Sequence, residues 1–265
     1  MNLKTLKTTK TMYILKYTFS LLALASFSAF AQQQQDTDTL TVPPQERYGL
    51  RIGADVHRIS RSLYDDDFRG IELVADYRLN KKVYAAAEVG TTKATIDEAQ
   101  LNFTANGSYL KIGFDYNAYQ NWLDMENMIY VGVRYGFSTF KQTLNSYKVY
   151  QNTDILTGDD AQGVYNYFNE VTVYPNREYS SLTAHWAEII GGIKVEMLNN
   201  LYMGFSLRLN IKLAETEPSG FANLYIPGFN RTYDGSFGVG FNYTLSYFIP
   251  LYKKQPAPTA ENTKQ

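Results

Sequence analysis

The chain has no cysteine, and only two histidines and two tryptophans, among its 265 residues. Without cysteine it is neither a disulfide-stapled secreted scaffold nor a lipid-anchored lipoprotein, whose acyl chains need a cysteine at the cleavage point. Excess positive charge is missing too. Twenty-five basic residues face 26 acidic ones, so there is no basic stripe of the kind nucleic acid selects. After the first 31 residues no apolar run is long enough to stop as a helix in a bilayer, so export should run to completion. The acidic runs Asp65-Asp66-Asp67 and Asp159-Asp160 lack the spaced ligands and placed glycine of a calcium loop and read as solvated surface charge. The sequence therefore assigns no metal, no cofactor and no catalytic residue.

What is present starts with an address. Lys4, Lys7, Lys10 and Lys16 precede the apolar stretch that ends in Ala29-Phe30-Ala31. A basic start, an apolar run and a small-residue exit make a secretory signal peptide, with cleavage expected after Ala31. The mature chain would then carry a formal charge of −5. Gln32–Gln45, with four consecutive glutamines and Pro43-Pro44, has too little apolar content to pack and reads as a periplasmic linker, so residues 32–46 precede the fold.

The clearest pattern is Leu201–Leu213. Leu201, Met203, Phe205, Leu207, Leu209, Ile211 and Leu213 alternate without a break with Tyr202, Gly204, Ser206, Arg208, Asn210 and Lys212. A period of 2 sustained this long is a two-faced strand, and its length suits a tilted crossing of a membrane. Weaker copies are Tyr48–His57, Gly70–Leu79, Val83–Gly90, Gly107–Asn117, Met128–Phe140, Ser181–Met197 and Phe237–Ile249. Val83–Gly90 is the weakest, with alanines on both faces. The connecting segments Arg58–Asp67, Asn80–Lys82, Thr91–Asn106 (a loop or a strand extension), Ala118–Asn127, Lys141–Ser180, Leu198–Asn200 and Ala214–Gly235, of 10, 3, 16, 10, 40, 3 and 22 residues, alternate long and shorter, as do the extracellular loops and periplasmic turns of outer-membrane barrels. The expected fold is an all-β, eight-stranded antiparallel up-and-down transmembrane β-barrel over residues 47–251, with residues 252–265 a disordered tail.

Alternation alone fits a soluble lipocalin-like barrel equally well, with the apolar face turned inward on a ligand. The polar face decides for lipid. It mixes glycines with Arg51, Arg78, Lys111, Arg134, Lys194, Arg208 and Lys212 and with Asp55, Glu72, Asp76, Glu88, Asp115, Glu188 and Glu196. Seven cations meet seven anions, as an ion-paired interior requires. The 23 tyrosines and 15 phenylalanines suit interfacial girdles. The stretches YDDDFRGIELVADYRL, NGSYLKIGFDYN and NWLDMENMIYVGVRYGFSTF resemble an uncharacterised family of predicted outer-membrane β-barrel proteins of Bacteroidetes-type bacteria. In topology the chain is similar to the small OmpA and OmpX barrels. The resemblance implies fold and location, and it carries over no functional residue.

For function, a barrel of eight strands is filled by its own side chains, so a non-enzymatic envelope or surface-interaction protein is expected, monomeric, embedded in outer-membrane lipid. The tyrosine-rich segment Lys141–Ser180 is either a binding loop or a paired extension of the strands above the bilayer. A rim enzyme is the alternative. His57 and His185 would stand near the outer rim, with Ser60, Ser62, Asp65, Asp66, Asp67, Ser180 and Ser181 as companions, although no spacing among them is diagnostic. Trp122, in the segment Tyr119–Asn127, is read as an interfacial residue or a docking point for a periplasmic partner.

Overall fold

A computed structural model describes residues 46–119, 126–151, 169–232 and 235–254. The signal peptide, most of the linker, Trp122 and the centre of the longest loop lie outside the described residues. In chain order the elements are β1 (Glu46–Asp55), α1 (Val56–Tyr64), β2 (Phe68–Arg78), β3 (Val83–Asp97), β4 (Leu101–Asn117) and β5 (Met128–Gln151). They continue as β6 (Asn169–Val173), β7 (Arg177–Leu198), β8 (Leu201–Glu215), β9 (Tyr225–Ile226), β10 (Asn230–Arg231) and β11 (Phe237–Lys254). Antiparallel neighbours run β4-β3-β2-β1-β11-β8-β7-β5, and β5 pairs back with β4, so eight strands close into a ring. The two-residue strands β9 and β10 pair only with each other.

All eight expected strands are present, but most are longer than their apolar alternation. Thr91–Asn106, read as loop or strand extension, is the continuation of β3 and β4, joined by a short turn at residues 98–100. Of Lys141–Ser180, the described part is largely strand: β5 runs on to Gln151, where β6 pairs with it, and β7 starts at Arg177. The tail begins later than expected, because Tyr252, Lys253 and Lys254 pair with Tyr48, Arg47 and Glu46. The Tyr48 and Tyr252 rings stack there at 5.2 Å.

Strand one ends earlier than expected. The Asp55 carboxylate accepts from the backbone N–H groups of His57, at 2.9 Å, and Arg58. This N-cap turns Val56–Tyr64 into a helix where a strand end and a loop were expected. Glycine permits the tight curvature of the wall at Gly113, where a Cβ would lie 1.9 Å from the Val133 carbonyl oxygen of the neighbouring strand. Backbone cannot yield as a flexible side chain does. Gly113→Val is accordingly expected to abolish ring closure, read as loss of the compact unboiled band on a gel, whereas Gly191→Val, where nothing lies within 4 Å, keeps it.

Polarity along the wall reverses part-way up. Leu73, Val89, Leu110 and Phe137 occupy one row of register across β2 to β5, all turned outward and exposed. Four residues further along the same strands the outward row is Arg69, Lys93, Asn106 and Lys141. The inward face switches in the opposite sense, from Glu72, Glu88 and Lys111 to Phe68, Ala94, Phe103 and Ala105. The lower wall is apolar outside and charged inside; the upper wall is the reverse.

Candidate functional site

Period 2 sends every second residue of the lower wall into the interior, where Arg51, Asp55, Glu72, Asp76, Arg78, Glu88, Lys111, Asp115, Arg134, Glu188 and Arg208 are buried. At the end where β1 starts, Arg47 approaches Glu126 at 3.5 Å and Glu196 at 3.4 Å, and Arg78 bonds Glu126 at 3.2 Å. Above them Arg51 is buried, 4.4 Å over the Tyr202 ring and 3.8 Å from Asp76. From Asp76 a chain of ion pairs runs upward. Lys194 bonds Asp76 at 2.6 Å and faces Asp115, which Arg134 holds at 2.8 Å. Arg134 approaches Glu88, and Arg208 grips Glu88 with two bonds of 2.6 and 3.0 Å while also reaching Glu188 at 3.0 Å. Lys111 stands among Glu72, Glu88 and Glu188 at 3.2–3.5 Å.

Neutral donors serve three of these carboxylates, Asp55, Glu72 and Glu188. The Tyr109 hydroxyl donates to Glu72 at 2.6 Å, the Trp186 indole to Glu188 at 2.7 Å, and the Asn242 amide to both Asp55 and Glu72 at 2.7 Å. Ions this deep persist only when paired and hydrogen-bonded.

Three members of this interior were not among the expected charges. Arg47 and Glu126 sit at the ends of strands, where alternation has too few residues to read. Arg58 lay in a segment read as loop, but α1 turns it inward to Asp55 and Glu72, each at 3.5 Å, over the Tyr109 ring. Lys212 stands apart from the network: its ammonium bonds Glu215, three residues on, at the upper rim.

The upper interior is closed by the chain itself. Of Ala214–Gly235, expected as an extracellular loop, Ala214 and Glu215 are the end of β8, and residues 216–232 fold into the ring beyond it. Ile226 and Phe229 are buried against Tyr109, Phe140, Leu182 and Trp186, and Tyr225 against Phe68, Ala94 and Phe103. Gly228 makes the turn with φ +87°, and its Cα lies so near the Tyr109 ring that a Cβ would come within 2.6 Å. The Gln142 amide donates to the Ala222 carbonyl at 2.9 Å and pins the segment from the wall.

The residues considered for rim chemistry are not brought together. His57 packs on Phe241 and Tyr243, ring centroids 4.7 and 6.5 Å away. His185 bonds the Tyr135 hydroxyl at 2.7 Å beside Phe137 on the other side of the ring. Ser62 bonds backbone groups of Arg58 and Gly70. Arg61 donates to Asp65 at 2.9 Å and holds its carboxyl below the usual carboxylate range. Asp66 pairs with Arg69. Among the described residues no histidine is bonded to a serine or carboxylate side chain, and no group of side chains has the composition of a metal site.

Fold and interior together define a class: a closed all-β ring whose lower interior is filled by ion pairs and whose upper interior is filled by its own loop. The chain belongs to the family described as a domain of unknown function, DUF6048, whose profile matches residues 14–254. Among solved structures it is similar to Ail, the attachment invasion locus protein of Yersinia pestis, at 9% identity over 77% of this chain and 99% of that one, with a TM-score of 0.35. No curated protein matches.

Proposed function

We propose that the chain is a non-enzymatic outer-membrane β-barrel protein. It is exported by its N-terminal signal, embedded as a monomer in outer-membrane lipid, and serves an envelope-structural or surface-interaction role. The observation that carries this reading is the reversal of polarity along the wall. A ring standing in water throughout keeps its apolar faces inward for its whole height. Here the lower outer surface is a band of exposed Leu, Ile, Val and Phe side chains backed by buried ions, the arrangement that hydrocarbon stabilises. The strand Leu201–Leu213 is about 40 Å long at the rise of a β-strand, and about 30 Å once tilted as barrel strands are, which matches a bilayer core.

The outer face then becomes polar at Arg69, Lys93, Asn106 and Lys141, where a bilayer would end. The upper wall, apolar inside and polar outside, stands as an aqueous barrel above it. Ion pairs below and the folded-in loop above fill the described interior, which supports a structural or surface-interaction role over diffusion. A Bacteroidetes-type envelope is the setting that the resemblance in the sequence implies.

Gel mobility of the mature protein from the outer-membrane fraction tests the reading. The unboiled protein is expected in that fraction and to migrate faster than the boiled protein. Recovery as a soluble periplasmic protein with no shift would overturn it and return the lower apolar face to a ligand cavity.

A further inference from the structure

The wall opens between β11 and β2. β1 leaves the sheet at Asp55, so β11 from Phe237 to Tyr243 pairs with β8 alone, and β2 from Phe68 to Glu72 pairs with β3 alone. The break lies within the apolar band, because Phe241 and Val239 register with Leu207 and Leu209. An open strand edge is not tolerated in hydrocarbon unless something covers it.

Helix α1 covers it in part. Ser62 Oγ accepts from the Gly70 backbone N–H at 2.8 Å, which closes the β2 side. On the β11 side a cavity of about 540 Å³ remains, bounded by α1, the tops of β2 and β3, the β9–β10 hairpin and the free edge at Val239–Phe241.

Two features of the cavity point to an amphiphile. Part of its lining is apolar and open to the outside: Phe68, Ile96, Val239 and Phe241 border it, and Val239 is 76% exposed. Its inner side carries both signs of charge, from Arg58, Arg61 and Arg231 and from Asp65, Asp67 and Asp97. Arg58 is committed to the interior, whereas Arg61 and Arg231 are about half exposed and pair with the partly exposed Asp65 and Glu98.

Resting on the membrane reading above, we propose that this break is a lateral site for one outer-leaflet lipid whose headgroup carries a phosphate and a primary ammonium. The acyl chain lies along α1 and Val239–Phe241. The phosphate takes the guanidiniums of Arg61 and Arg231 in place of their carboxylates, and the ammonium takes Asp65 and Asp97. A lining that carries both signs of charge selects a headgroup of both signs over a purely anionic one.

The test uses the mature chain refolded into phosphatidylcholine vesicles that contain a phosphatidylethanolamine with a photoreactive acyl chain. After irradiation, labelled peptides are mapped by mass spectrometry. Labelling is expected to concentrate on residues 56–64 and 237–241 relative to the rest of the apolar band. Unlabelled phosphatidylethanolamine should compete, while phosphatidylglycerol and inorganic phosphate should not. In Arg61→Gln/Arg231→Gln, both surface positions, the preference is expected to fall about tenfold while the unboiled gel band is kept, as loss of charged hydrogen bonds predicts.

Even labelling around the band would leave the membrane reading standing and overturn the site. Competition by inorganic phosphate would reduce it to an anion site, and equal competition by phosphatidylglycerol would remove the paired-charge selectivity; either overturns the proposal. Absence of labelling anywhere on the chain would overturn the membrane reading and the site with it.

Discussion

Arg208→Met is expected to destabilise the folded ring by about 3–5 kcal/mol, because it strands buried carboxylates rather than merely removing a contact. Arg208 supplies both oxygens of Glu88 and one of Glu188, and all three side chains are at most 5% exposed. Lys111 and Arg134 also approach Glu88, at 3.5 Å each, so part of the loss is absorbed and the wall is expected to survive. The check is urea unfolding in phospholipid vesicles followed by tryptophan fluorescence, with Trp186 beside Glu188 as reporter.

A second variant separates the stranded-charge mechanism from simple loss of volume. Arg208→Met/Glu88→Leu removes cation and anion together and is expected to lose less stability than Arg208→Met alone. If the double variant is the worse of the two, the interior is held by shape and not by charge balance.

Phe229→Ala is expected to cost about 3–5 kcal/mol as well, but locally. Phe229 is 1% exposed and meets the Trp186 ring edge-on at 6.1 Å, in the cluster that seats the folded-in loop. None of the eight ring strands depends on it for backbone pairing. Limited proteolysis of the refolded protein should therefore cut within residues 217–232 far faster in the variant, while the ring keeps its unboiled mobility. Equal cleavage in both proteins would mean that the loop is seated by its polar contacts, such as Gln142 to Ala222, and not by its aromatic anchor.

The lower wall was legible because it obeys one rule throughout. Where apolar residues face outward at every second position, the intervening charges have only the interior to occupy, so Glu88, Lys111, Arg134 and Arg208 could be placed from spacing alone. The upper wall follows the same period with the faces exchanged. Lys141, Thr143 and Asn145 alternate with Gln142 and Leu144, a pattern too polar on the outside and too weak on the inside to stand apart from a loop.

The helix was hidden for a different reason. Val56 and His57 continue the alternation of β1, so only the capping Asp55 and the apolar spacing Val56, Ile59, Leu63 could have announced the change of period. The folded-in loop carried a signal in Ile226-Pro227-Gly228-Phe229, two large apolar residues around a turn. Burial of that turn depends on a cavity that exists only once the ring has closed.

Closure itself imposes an order of assembly. The junctions β1–β2, β2–β3, β3–β4, β7–β8 and β8–β11 join consecutive or nearly consecutive segments, which meet at low loop-closure entropy. The junction of β1 with β11 joins Tyr48 to Tyr252 and Asp55 to Thr244, almost the full length of the fold apart. Every hairpin but β8–β11 can form while the last strand is still absent, and the seam cannot. Until β11 arrives, β1 and β8 each present an unpaired edge. A chain arriving at a membrane in that state needs its final eighteen residues of strand, β11, before any of the others can be left in lipid.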